Sequence, residues 1–465
     1  MRMIFGFLAG VIVSGATNPI EVRAGKADAP TVLLVSDSFA REEAERYARV
    51  PEVKRGVRLL AIVVPMERVA FPPRGKAYRD DPEAHAIWRF LTWSAPDLVL
   101  VAGDGATGLP GRRVDKRAGL IAGLASVTRV ARPARSPIDV AKSLGSMYGQ
   151  DFEEPVYIPA MALIGRIRLG QVAEVERLVA PFADARKDSL AKVTSSHFAG
   201  HLVFAELAER PGKREYIDLV RRAADAVIAS DALNNEMSDS VFMGCPILVK
   251  AGKLTGQTKY FDAAVRHFQR MQALCRRADG LYRHSPLTEA AWGRGNAFVA
   301  LGLALSMEDL QSREMLAAYQ DLMTKLATFQ DSFSGMFHQV IDVPESYGEL
   351  SATAMIGRAM QIGIRKGWLE RARFQPVVDA AWRGVSARTF DYGVLMDVCE
   401  STGKQKSLQD YLDREAIWGR DARGGGMVLL FALEIASARQ GTGSRGSRSP
   451  ASGGGQQPFA GRLAR

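Results

Sequence analysis

Beyond residue 150, apolar residues recur every three to four positions, the period of a helix with one face against a core. The runs are Val156–Leu169, Phe198–Leu207, Tyr216–Ile228, Val241–Ala251, Tyr260–Leu274, Ala297–Ser306, Leu316–Phe329, Thr353–Ile364, Phe374–Arg383, Val394–Cys399 and Met427–Ile435. Three similar segments, starting at Pro211-Gly212, Thr255-Gly256 and Thr402-Gly403, are predicted to end one helix on a glycine cap and open the next. Counting pairs from residue 150 gives about six helical hairpins of roughly 40–50 residues each. Such pairs build either an open solenoid or a closed ring. Polar, chemically capable residues are concentrated between the helices, as a ring with a central pocket requires.

Residues 30–135 follow a different rhythm. Thr31–Val35, Leu59–Val64 and Leu98–Val101 are short, β-branched apolar runs, predicted as buried parallel strands. Helical patterns at Ala40–Val50 and Pro82–Trp93 alternate with them, so a small parallel sheet is expected over residues 17–135. Asp37 and Asp104 follow strands, as site residues or as loop caps. Arg132–Pro137 reads as a linker, and the helical domain is expected over residues 140–438. The Gly/Ser/Arg-rich stretch 439–465 is predicted to be disordered. At the other end, Met1-Arg2-Met3, an apolar run to Val13 and Ser14-Gly15-Ala16 fit a secretory leader over residues 1–16, hence export. The alternative is a first buried strand continuing through Asn18–Val22. The run is too short to span a bilayer.

Composition narrows the function classes. The 465 residues carry a formal net charge of +10, but the cations are dispersed, which argues against nucleic acid and suits an acidic small substrate. Cys245, Cys275 and Cys399 are far apart with no CxxC spacing, so neither a zinc site nor a disulfide framework is indicated, and no cofactor is expected. Cys245 and Cys399 are expected as buried small hydrophobes in helices. Oligomeric state is not legible.

Candidate chemistry centres on Trp292-Gly293-Arg294-Gly295-Asn296. A flat aromatic, a fixed cation and an amide can stack on a sugar ring, clamp its carboxylate and bind its hydroxyls. The competing reading is a buried tryptophan beside a structural arginine. Asp239 precedes the run starting at Val241, as an acid desolvated at a pocket or as that helix's N-cap. His284 follows a Gly-Leu-Tyr turn; His338 and Gln339 lie in Gly335–Val340; Glu349 and Ser351 precede Thr353–Ile364 as a supporting polar shell or as its cap.

Asp239–Pro246, Gly280–His284, Trp292–Asn296, Gly335–Val340 and Arg423–Leu430, in that order, resemble the unsaturated glucuronyl and rhamnogalacturonyl hydrolases of glycoside hydrolase families 88 and 105, over roughly residues 150–436. The resemblance implies a mainly α fold, an (α/α)6 barrel preceded here by the small α/β domain. It also implies removal of a 4,5-unsaturated uronic acid from oligosaccharides left by polysaccharide lyases. Asp239 would then be the acid, Arg294 the carboxylate clamp, Trp292 the stacking surface and Asn296 the hydroxyl ligand. His284, His338 and Gln339 would line the mouth. A second acid expected near an Ala-Gly pair is replaced by Ser195-Ser196-His197-Phe198-Ala199-Gly200, where His197 or Ser196 could stand in by hydrogen bonding. That departure keeps open a non-catalytic, acidic-carbohydrate-binding ring. Phe71–Tyr78 and Asp97–Leu100 resemble zinc carboxypeptidase domains. His85 alone cannot supply such a metal site, which implies a degenerate relative.

Overall fold

The computed structural model describes residues 20–23, 31–36, 58–63, 82–102, 112–114, 135–211, 213–230, 233 and 235–443. The leader at 1–16, the helix at Ala40–Val50, the loop Phe71–Tyr78, Asp37, Asp104, Gly212 and the stretch 444–465 lie outside the described residues.

The strands β1 (Ile20–Arg23), β2 (Thr31–Ser36), β3 (Arg58–Val63), β4 (Leu98–Ala102) and β5 (Arg112–Val114) form one sheet in the order β1-β3-β2-β4-β5. The last four run parallel, and β1 joins antiparallel at the edge. Helix α1 (Pro82–Ser94) packs Trp88 and Leu91 on Leu33, Val35 and Val101.

The other helices are α2 (Pro137–Gly145), α3 (Tyr157–Arg168), α4 (Val172–Ala183), α5 (Ser195–Gly200), α6 (Leu202–Ala208), α7 (Glu215–Ala229), α8 (Ser240–Thr255), α9 (Thr258–Cys275), α10 (Gly293–Met307), α11 (Arg313–Ala327), α12 (Leu350–Lys366), α13 (Arg371–Ala387), α14 (Leu408–Leu412) and α15 (Ala422–Gly443). Contacts pass from α3 to the α5–α6 pair, then to α8, α10, α12, α15 and back to α3. This closed inner ring makes the (α/α)6 barrel, with α2, α4, α7, α9, α11 and α13 outside it.

Residue pattern sorts the two layers. Outer α9 buries only Tyr260, Ala264, Phe268, Met271 and Cys275, one stripe of a charged helix. Each large side chain of such a stripe contributes about 1.5–3 kcal/mol by leaving water. Inner α10 is buried almost all round and carries small residues where neighbours approach closely. A Cβ on Gly302 would lie 2.7 Å from the backbone nitrogen of Phe242 on α8.

Several expectations need correction. Ser136 and Pro137 are the N-cap and first residue of α2, with Ser136 Oγ accepting from Asp139 N–H. Phe198–Leu207 is broken at His201 into α5 and α6. Val394–Cys399 is strand β6 (Leu395–Cys399), paired antiparallel with β7 (Ala416–Gly419), so Cys399 is buried at a strand end. Five fully buried residues in a row do not distinguish helix from strand by period. The Thr402-Gly403 turn therefore joins a strand to α14. Helix α15 continues to Gly443, past the boundary expected at 438.

The α/β unit docks on the barrel through α1. The Trp88 and Trp418 rings lie 5.0 Å apart, Arg388 Nη2 donates to Thr92 O at 2.7 Å, and the Arg89 guanidinium sits 4.2 Å above the Tyr347 ring. Among the described residues, no helix is long and apolar enough to cross a membrane.

Candidate active site

Outer and inner helices alternate along the chain, so the inner helices point the same way and begin at one mouth. The links from inner to outer helices are short, such as 256–257 and 308–312. Those from outer to inner are long: 184–194, 230–239, 276–292, 328–349 and 388–421. Polar residues at the ends of the long links thus meet the positive ends of the inner helices, where anions are favoured.

Asp239 occupies the N-cap position of α8, yet its side chain makes no capping bond. It is 4% exposed, and its Oδ1 lies 2.9 Å from His284 Nε2, approaching off the hydrogen-bond axis. The cap alternative for Asp239 is therefore not what this side chain does. Main chain fixes the pair as well, because Ser238 N–H donates to His284 O at 2.9 Å. His284 is fully enclosed, its ring centred 4.4 Å from Trp292.

Trp292 and Arg294 open α10. Gly293 N–H donates to Gln339 O at 2.7 Å, and a side chain on Gly293 would collide with His338 O, so this approach needs glycine. Trp292, expected to present a face to sugar, is wholly buried. The guanidiniums of Arg294 and Arg414 stand 5.1 and 4.9 Å from its ring centre. Arg294 Nη2 donates to Cys399 O and to Ser401 O, while its Nε and Nη1 meet no protein acceptor. Nε and Nη1 lie on different edges of the guanidinium, so a buried cation keeps single donors free for a carboxylate rather than the two-pronged clamp expected from the sequence.

The other candidates divide. Asn296, expected to bind hydroxyls, accepts from Tyr282 N–H at 2.8 Å and donates to Tyr282 O and Trp292 O, which ties the 280s turn to α10. Gln339 donates to Tyr411 O at 2.7 Å, and His338 Nδ1 meets Ser346 O at 2.7 Å. Glu349 takes the capping role: its carboxylate accepts from the N–H groups of Ser351, Ala352 and Cys399 and from Ser351 Oγ. His197 is turned to Thr194 Oγ1 at 2.7 Å and Glu154 at 3.6 Å, lining a separate cavity of about 260 Å³ with Lys187 and Lys192. Burial holds its pKa down, partly offset by Glu154.

Four residues at or beside the centre were missed. Tyr411 places its hydroxyl 2.7 Å from His284 Nδ1, and Arg414 stacks on Trp292 and Tyr411. Both belong to the β6–β7 link, which has no periodic pattern to mark it. Lys404 straps that link across the mouth, donating to Asn235 O at 3.1 Å. Asp421 precedes the Gly-rich start of α15 and pairs with Arg423; burial raises its pKa, but the Arg423 bonds outweigh this and hold it low. Its signal was the adjacent Asp-x-Arg.

Comparison with known proteins follows the same region. The model of Glycosyl Hydrolase Family 88 matches residues 197–438. An unsaturated 3S-rhamnoglycuronyl hydrolase of Formosa agariphila is 25% identical over 171 residues, 32% of this chain and 45% of that protein. An unsaturated rhamnogalacturonyl hydrolase of Bacillus subtilis is 26% identical over 220 residues, 44% of this chain and 60% of its own length. The aligned parts thus span 45% and 60% of these two relatives. Among solved structures, a possible GH105 member from Klebsiella pneumoniae superposes with a TM-score of 0.58 at 20% identity, covering 67% of this chain and 97% of its own. An unsaturated glucuronyl hydrolase from Bacillus sp. GL1 gives 0.51 at 16% identity, covering 65% and 97%. These two likenesses establish the fold. A third of this chain falls outside the match.

Proposed function

The chain belongs to glycosyl hydrolase family 88, and from that premise we propose that it removes a 4,5-unsaturated uronic acid from the non-reducing end of lyase-generated oligosaccharides of the pectin or rhamnogalacturonan type. One observation carries this reading. Asp239 sits at a helix N-terminus, enclosed, its carboxylate uncommitted to the cap and turned to His284, in the cluster that holds the unpartnered N–H groups of Arg294.

In this reading Arg294 holds the uronate carboxylate by its charge and through the unpartnered Nη1–H group. Protonated Asp239 delivers its proton to C4 of the vinyl ether, and the ring oxygen supports the positive charge that develops at C5. Asp239, now a carboxylate, takes a proton from the water that bonds to C5, so the acid is restored each turnover. The hemiketal then opens and releases the neighbouring sugar. One carboxyl group suffices, unlike hydrolysis at C1 with two flanking carboxylates. Trp292 carries the two arginines, Asn296 and Gln339 hold the loops in place, and His338 shapes the Gly293 approach. The basic net charge draws the acidic oligosaccharide in. Export through residues 1–16 puts the enzyme where such fragments arise. The Lys404 strap has to open for entry, since Trp292 and His284 are sealed.

The test is a panel of lyase-generated unsaturated disaccharides followed by loss of the ultraviolet absorbance of the conjugated uronide. Turnover by the natural chain and a fall of about 10²–10⁴-fold in kcat for Asp239→Asn are expected. The Ser195–His197 departure and the turn of His197 toward Glu154 favour one rival, a ring that binds without reacting. Binding of these disaccharides with no consumption would establish it.

A further inference from the structure

Resting on the hydrolase reading, we propose that Tyr411 is a positioning residue of the reaction: its hydroxyl, through His284, lets Asp239 hold and release the catalytic proton. Tyr411 lies on α14 in the link between β6 and β7 and is fully buried. Gln339 fixes its carbonyl at 2.7 Å, Gln405 N–H donates to its hydroxyl at 3.1 Å, and that hydroxyl meets His284 Nδ1 at 2.7 Å. On the opposite nitrogen, His284 Nε2 lies 2.9 Å from Asp239 Oδ1, off the hydrogen-bond axis, a contact that has to align in the substrate complex.

The chemistry follows from hydrogen-bond inventory. Gln405 uses one lone pair of the phenol oxygen, leaving a second lone pair and the O–H proton for His284. When Nδ1 is bare, Tyr411 donates to it, and Nε2–H faces an Asp239 carboxylate. When Nδ1 carries the proton, Tyr411 accepts, and Nε2 can accept from the Asp239 carboxylic acid. A group able to do both keeps His284 bonded in either state. Asp239 can thus be an acid before protonation of C4 and a carboxylate after it. The charged and titratable groups around Tyr411 are Arg414, Asp239 and Cys399, with Arg294 on the shared indole. Burial pushes the phenol up to about 12, so it stays protonated at working pH.

With phenylalanine at 411, an Nδ1–H would be buried without a partner, so the imidazole keeps its proton on Nε2 and holds Asp239 as a carboxylate. The experiment uses full-length protein with nitrogen-15 histidine, read by long-range proton–nitrogen NMR, beside kinetics on the reactive disaccharide. In Tyr411→Phe, His284 should stay in the Nε2–H form across the pH range. Its kcat should fall about ten-fold or more with KM within about two-fold, and the basic limb of kcat/KM should move to lower pH. A folded Tyr411→Phe with unchanged His284 tautomer and an unmoved basic limb overturns the proposal. Absence of turnover by the natural chain sinks the hydrolase reading instead, and the His284 tautomer alone then decides Tyr411. If Tyr411→Phe does not fold, 3-fluorotyrosine at 411, a stronger donor and weaker acceptor, should move the basic limb the same way by less; no movement refutes the role.

Discussion

Asn296→Ala decides between a sugar-binding and an architectural amide. Asn296 is fully buried, and its side chain makes three hydrogen bonds to main chain. Trp292 O survives its loss, because it still accepts from Asn296 N–H at 3.0 Å. Tyr282 N–H and C=O lose this partner inside the protein. At about 1–3 kcal/mol for each stranded group, the expected loss is about 2–5 kcal/mol. For a chain of this size that lowers Tm by roughly 2–5 °C. Calorimetry and disaccharide kinetics on the same preparation make the assay. The prediction is a lower Tm with KM near the natural value well below the new melting point. An unchanged Tm with a raised KM would refute the reasoning and return Asn296 to the substrate.

Arg294→Lys keeps the charge but loses both the Nη2 bonds that fix the group and the rigidly placed Nη1 donor, so KM for the unsaturated uronide should rise about 10–100-fold; equal KM in steady-state assays would remove Arg294 from the carboxylate. Burial pushes His201 from 6.5 down to about 4, between Ser189 Oγ and His197 O. The fold keeps it neutral while the unfolded chain protonates near 6.5. That contribution is complete above pH 6.5 and is lost as pH falls through about 4, up to about 3 kcal/mol. The slope of Tm against pH in that window should flatten in His201→Gln, and parallel slopes would exclude this source. Gly302→Ala drives a Cβ to 2.7 Å from Phe242 N and 2.8 Å from its Cα, both backbone atoms. Denaturant melts should register a loss of about 1–3 kcal/mol.

Helix periodicity made the ring readable because the outer helices each need a single apolar stripe, as Tyr260, Ala264 and Phe268 supply on α9. It failed where burial is complete on all sides. Leu395–Cys399 is buried on every side, its one polar residue Asp397 included, so no exposed face sets a period and strand and helix look alike. The site followed the same division. Asp239, Trp292 and Arg294 were legible as unusual residues at helix starts and His284 as a histidine after a Gly-Leu-Tyr turn, and they do meet. Tyr411 and Arg414 reach them from a link whose path is set by tertiary contacts with Gln339 and Asn235, which no local pattern encodes. His197 was assigned by position in the chain. Its neighbour Glu154, on the link before α3, determined where it points.

Helix α1 does more than lean on the barrel. Arg388 is 1% exposed and Thr92 O lies 2.7 Å from its Nη2, while the indole of Trp418 rests beside Trp88. Cutting the chain at residue 136 to obtain the barrel alone would strip a cation of that carbonyl partner and bare an aromatic surface beside β7. The product would carry a sticky flank on the hairpin that delivers Tyr411. The appended sheet is therefore a graft that cannot be pruned without wounding the stock.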